Sequence, residues 1–144
     1  MRQYSKRLCL LAVAGACFAA NAWRQTAAGQ AGDARIERGA YLVNQIGQCA
    51  ECHTQRDDKG NLDSTKHLQG GPLWFTSKIN FKKWETKVPD ITASGVAGKW
   101  SEERLVKFLS TGEKVDMPMP AYRMTVDDAK AVTAYLRSLP GKKK

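Results

Sequence analysis

Acidic side chains are scarce in this chain: 14 Asp and Glu stand against 23 Lys and Arg over 144 residues, a formal charge of +9. Histidine is rarer still, with two, and the four cysteines fall at positions 9, 17, 49 and 52. No apolar run reaches the roughly 20 residues that a membrane-spanning helix requires. That shortage excludes a bundle of membrane helices. The length excludes a multidomain enzyme, and 42% hydrophobic residues is too many for a wholly disordered chain. The cation excess leaves a nucleic-acid-binding protein open.

The two ends differ from the middle. Arg2, Lys6 and Arg7 precede an apolar run from Leu8 to Ala20, and Ala20-Asn21-Ala22 supplies small residues at a cleavage position. Those three parts predict an export signal over 1–22, and hence a periplasmic protein. Its removal would take Cys9 and Cys17 with it, and with Arg2, Lys6 and Arg7 gone the charge would fall from +9 to +6. Residues 23–33 are polar and rich in Ala, Gly and Gln, which predicts a flexible lead. Pro140 cannot continue a helix, so residues 141–144 are expected to be a solvated basic tail. The domain proper is then 34–140.

The chemistry lies in Cys49-Ala-Glu-Cys-His53. A Cys-x-x-Cys pair alone is open to thiol redox chemistry, half a zinc site or haem attachment. The histidine directly after it selects haem c. Cysteines three apart share one side of a helical turn, where both sulfurs can form thioethers to one porphyrin, and the next side chain can offer its imidazole to the iron. A zinc ribbon would need a second ligand pair, and His67 alone cannot supply one. A thioredoxin-like dithiol would follow a strand, whereas residues 34–46 read as a helix. One covalent haem c is therefore expected on Cys49, Cys52 and His53. Candidates for a sixth iron ligand are Met117, Met119, Met124 and His67, with Met117-Pro118-Met119-Pro120 in an extended loop.

Three helices are predicted. The first runs from Asp33 to Ile46, with Ile36, Gly39, Val43 and Ile46 on one stripe and Gly47 as its terminator. The second is capped by Ser101 and stopped at Gly112, with Trp100 placed to staple onto Leu105. The third spans Thr125 to Leu139, opened by a Thr125-x-x-Asp128 capping box, with Val126, Ala129, Val132, Leu136 and Leu139 inward. Met124 before it is expected to pack as a staple. Residues 73–88 interleave Trp74, Phe75, Ile79, Phe81 and Trp84 with Lys78, Lys82, Lys83 and Lys87, which predicts a short hairpin.

Together, Cys49-Ala-Glu-Cys-His53, Gly70-Gly71-Pro72 and a Met-Pro ahead of a terminal amphipathic helix resemble a class I c-type cytochrome over about residues 33–140. Arg38-Gly39-Ala-Tyr41, Pro89-Asp90-Ile91-Thr92 and Trp100-Ser101-Glu102-Glu103 are similar to single domains of dehydrogenase cytochrome subunits, which show Asn where Asp90 stands and carry several haem domains. The resemblance implies an all-α cytochrome c fold around one haem, Gly39 crossing the last helix at Tyr135, and a proline carbonyl, that of Pro72, accepting from the His53 ring. By the same likeness the spacing to Tyr135 favours Met119 as distal ligand, with Met117 as second choice.

The expected function is that of a periplasmic one-electron carrier between a dehydrogenase-type donor and a terminal acceptor, with no catalytic residue. The other readings are the small haem subunit of a larger oxidoreductase complex, or a gas-binding or peroxidase-like haem protein. Implied partners are redox proteins with acidic docking surfaces and not nucleic acid, with a membrane involved only through a retained signal segment or a membrane-bound partner.

Overall fold

The computed structural model describes residues 30–142 apart from residue 82. The predicted signal segment therefore lies outside the described residues. The described residues from Arg35 onward form one compact unit. Residues 30–41 (α1) are helical, so helix already covers residues 30–33, within what was expected to be flexible lead.

Helix α1 does not end as a regular α-helix. Leu42–Ile46 winds as a π-helix, with the Gly47 N–H donating to Leu42 O at 2.7 Å. That wider turn rotates the side chains, and the predicted stripe changes at its end. Leu42 and Val43 are buried while Ile46 is 61% exposed. Gly47 is not the left-handed terminator either: its φ is −80°, and Gln48 takes the positive φ of 47°. A side chain on Gly47 would press on Leu42 O and on Cys49 Sγ, so close approach and not handedness explains the glycine.

The core is built by three segments. Leu42 and Val43 meet Leu105 and Leu109 of α4 (Glu102–Thr111) and Ala129, Val132 and Leu136 of α5 (Val126–Ser138). Ser101 caps α4 by accepting from the Arg104 N–H, and Gly112 closes it in the left-handed region. Thr125 caps α5 by accepting from the Asp128 N–H, but the Asp128 carboxylate turns to Arg38 at 3.0 Å, so the capping box is half made. Val126 is exposed, outside the stripe expected for it. Trp100 packs against the core cluster that contains its expected staple partner Leu105, edge-on to Phe108 and with the Arg104 guanidinium over its ring. Met124 packs on the core as expected.

At the crossing of α1 and α5, a Cβ on Gly39 would overlap the Ala131 carbonyl and lie 2.7 Å from Tyr135 Cβ. Only glycine lets the two backbones meet there. Gly71–Pro72 (β1) pairs antiparallel with Lys87–Val88 (β2), so a two-residue ladder closes the 73–86 loop, and the predicted hairpin strands through its aromatic residues are not formed among the described residues. A short helix, Val96–Lys99 (α3), precedes α4, its end tied down by Arg137 Nε donating to Ala97 O. Gly141 and Lys142 are not a free tail: the Lys142 N–H donates to Ser94 Oγ at 2.9 Å.

Candidate haem-binding site

The motif forms a single helical turn, Ala50–His53 (α2), entered from the π-helix. The Cys49 N–H donates to Val43 O at 3.0 Å, and the His53 N–H donates to Cys49 O at 2.9 Å. Cys49 and Cys52 are both half-buried and unbridged. Burial pushes the Cys49 thiol up to about 11, and it raises Cys52 as well. A dithiol redox centre needs the opposite, a lowered thiol pKa.

His53 is 6% exposed. Its Nδ1 lies 2.9 Å from Pro89 O, and since a carbonyl can only accept, Nδ1 carries the proton. The lone pair of the neutral ring is then on Nε2. Burial lowers the imidazole pKa against the opposing pull of the Pro89 bond, which keeps the ring neutral at neutral pH, the state in which it can ligate a metal.

The carbonyl on His53 is thus that of Pro89, which corrects the expectation for Pro72. Pro72 stands in the β1–β2 ladder opposite Lys87 and is exposed. The reason is the packing of Gly70, where a Cβ would collide with the Pro89 carbonyl carbon and with Val88 O, at a φ of +67°. The Gly70 N–H donates to His53 O at 2.7 Å, so this glycine seats the 88–90 peptide directly against the motif helix.

Pro89 is held from the other side by Asp90. Its carboxylate accepts from the Thr92 N–H (2.8 Å), Thr92 Oγ (2.7 Å) and Ser94 Oγ (2.6 Å). The Leu68 N–H donates to Thr54 Oγ, and the Ile91 N–H donates to Leu68 O, which laces the same turn to the residue after His53. Pro89 and Asp90 are the residues missed as parts of the site. Their signal was the Pro-Asp-Ile-Thr-x-Ser string, a side-chain-closed turn after a proline.

A cavity of about 550 Å³ opens beside His53. Pro89, Trp100, Phe108, Val115 and Met119 are among its walls, and Lys87, Arg104, Lys107 and Lys114 alternate with Glu85, Glu113 and Asp116 around it. Of the methionine candidates, Met119 is on that wall. Met117 points elsewhere: it is 42% exposed, bridges to Trp84, and its carbonyl accepts from the Glu85 N–H. Met124 packs in the core, and His67 is half-buried outside the cavity wall. Tyr122 Oη donates to Gly47 O at 2.8 Å, fastening the methionine loop to the entrance of the motif. Cys49 and Cys52 are not on the cavity wall itself; they occupy the turn that ends at His53.

Residues 34–136 match the family described as cytochrome c oxidase, cbb3-type, subunit III. The chain belongs to this cytochrome c family. Relatives include a diheme cytochrome c-type protein of Cereibacter sphaeroides, 30% identical over 72% of this chain and 35% of its own length. The cytochrome c subunit of a quinone alcohol dehydrogenase from Gluconobacter oxydans is 30% identical over 75% of this chain and 24% of its own. The fructose dehydrogenase cytochrome subunit of Gluconobacter japonicus is 32% identical over 73% and 22%. The chain thus spans about a third or less of the length of these relatives. The cytochrome is an electron-transfer protein of mostly helical fold, and its family's cofactor is haem c.

The residues present fit that group. A neutral, oriented imidazole and a thioether share one cavity, whose volume lies within the range of small-molecule sites, and two thiols precede the imidazole on its own helical turn. Trp84, the residue before Glu85 of that wall though not on the wall itself, has a buried Nε1 donor with no acceptor among the described residues.

Proposed function

We propose that this cytochrome carries single electrons on one haem c, bonded through Cys49 and Cys52 and ligated by His53 and Met119. The observation that carries this reading is the shared cavity wall of His53 and Met119, with the second ring nitrogen of His53 engaged by Pro89. Bound there, haem c supplies a one-electron iron couple. The protein's share is positional. Pro89 fixes the tautomer and plane of the His53 ring and strengthens its donor nitrogen. Met119, on a loop tied by Tyr122, offers a thioether, which favours the reduced iron more than a second imidazole would. Trp100 and Phe108 shield one wall from water.

The export signal predicted over 1–22 supports a periplasmic location, where c-type haem is attached in bacteria. No described helix is long and apolar enough to cross a membrane. The dehydrogenase subunits among the relatives support a dehydrogenase-type donor, either freely encountered or as the large partner of a complex in which this chain is the small haem subunit. The cation excess favours a partner with acidic docking groups.

Potentiometric titration of the haem-loaded protein tests the reading. The expected result is a reversible one-electron transition and a spectrum that carbon monoxide shifts little or slowly. Immediate carbon monoxide binding or peroxide turnover would replace it with the gas-binding or peroxidase reading. Absence of covalent haem after denaturing electrophoresis would end it.

A further inference from the structure

The loop over the β1–β2 ladder exposes more apolar surface than its surroundings. Trp74 is 61% exposed and Ile79 66%, with Phe81 and Met117 also exposed. The aromatic side chains among them are not loose. The Trp74 ring stands edge-on to Phe75 at 5.0 Å, Phe75 edge-on to Trp84, and Phe81 stacks on Trp84 at 5.7 Å. Trp74 Nε1 donates to Glu51 O, and the Arg56 guanidinium lies over its ring at 4.6 Å while paired with Glu51. A run of contacting, partly exposed aromatics marks a contact site, and locked aromatics lose little freedom when covered.

The face is also continuous with the cavity. Trp84 bridges to Met117, the Glu85 N–H donates to Met117 O, and Glu85, Lys87 and Met119 line the cavity itself. Lys78 and Lys83 fringe the aromatics, are exposed, and form no ion pair among the described residues.

We propose that Trp74, Ile79 and Phe81, fringed by Lys78 and Lys83, form the docking surface for a protein redox partner that presents an apolar patch bordered by acidic residues. The proposal rests on the electron-transfer reading above. Other occupants fit less well. An anionic membrane would meet Glu85, Glu113 and Asp116 beside the patch, whereas a protein face can match a rim of mixed charge. A second copy, seated about a two-fold axis, would bring one lysine-fringed face against an identical one, with no excess of acidic groups to match it.

The test is stopped-flow electron transfer from the reduced, haem-loaded full chain. Two acceptors are used: plastocyanin, an acidic blue-copper protein with an apolar patch, and hexacyanoferrate(III), which needs no protein interface. One electron leaves the cytochrome and reduces Cu(II) to Cu(I) or Fe(III) to Fe(II). In the Trp74→Ser/Phe81→Ser variant the rate constant with plastocyanin is expected to fall about tenfold, and in Ile79→Ser about threefold, with hexacyanoferrate unchanged. Wild type should slow with added salt, and Lys78→Glu/Lys83→Glu should lose much of that dependence.

Plastocyanin rates equal to wild type in all these variants, or equal losses with both acceptors in Ile79→Ser, would overturn the proposal. So would Trp74-dependent sedimentation with phosphatidylglycerol vesicles, which assigns the face to lipid, or a Trp74-dependent dimer in ultracentrifugation, which assigns it to a second copy. Failure of the electron-transfer reading is distinct: wild type would reduce neither acceptor.

Discussion

The helical half of the cytochrome and its loop half are stabilised by different means. α1, α4 and α5 meet through a compact set of apolar side chains, Leu42, Val43, Leu105, Leu109, Ala129, Val132 and Leu136. Between His53 and α3, apolar burial is sparse, with Leu68 as the fully buried large side chain. That stretch is held by hydrogen bonds instead: Gly70 N–H to His53 O, Leu68 N–H to Thr54 Oγ, and the Asp90 carboxylate to Thr92 and Ser94. The difference teaches where each function resides. Packing supplies the frame, and polar turns aim the groups that face the cavity.

The largest expected effect lies in the motif that joins the halves. Cys49→Ala/Cys52→Ala should abolish covalent haem entirely, read as loss of haem stain after denaturing electrophoresis. In the helical half, Gly39→Ala should destabilise by about 3 kcal/mol, because its methyl group would overlap the Ala131 carbonyl. Urea denaturation checks it, and a neutral result would show that the α1–α5 crossing is looser than its packing indicates.

In the loop half, Asp90→Ala should cost about 2 kcal/mol by leaving the buried Thr92 groups without an acceptor. It should also raise the reduction potential, as Pro89 loosens and the His53 ring becomes a weaker donor. A potential unchanged from wild type would separate Asp90 from the iron site. Asp90→Asn isolates the charge. Burial opposes the ionised form of Asp90, but the bonds from Ser94 and Thr92 outweigh it and hold the carboxyl below its usual value. A group depressed in the folded state stabilises above its unfolded pKa and loses that contribution as pH falls through the folded one. The melting temperature should therefore drop below about pH 4, and drop less in Asp90→Asn. The smallest effect belongs to the helical half again: Thr125→Ala removes the α5 cap at a cost of about 1 kcal/mol, measurable by thermal denaturation.

The same division explains what could be read from the sequence. Helices α4 and α5 were legible because Ser101, Gly112 and Thr125 act within one turn of their own position, and periodicity marks the buried side. The Cys49–His53 motif could be proposed from the sequence because five adjacent residues would carry its chemistry. The π-helix was not, since the shift that buries Leu42 and exposes Ile46 is a backbone choice at the core and leaves no mark in residue type. Nor was the acceptor on His53. It is a main-chain oxygen 36 residues away, which any residue possesses, and the resemblance placed it at Pro72. What selects Pro89 is the missing side chain of Gly70 pressed against it.

The central proposal is that His53 and Met119, which line one cavity, both ligate the iron of one haem. It is tested most directly by the visible spectrum of the oxidised wild type beside Met119→Ala and Met117→Ala. The account predicts a weak far-red iron–thioether band in wild type that persists in Met117→Ala and vanishes in Met119→Ala. A band lost in Met117→Ala and kept in Met119→Ala, or absent from wild type altogether, would contradict it.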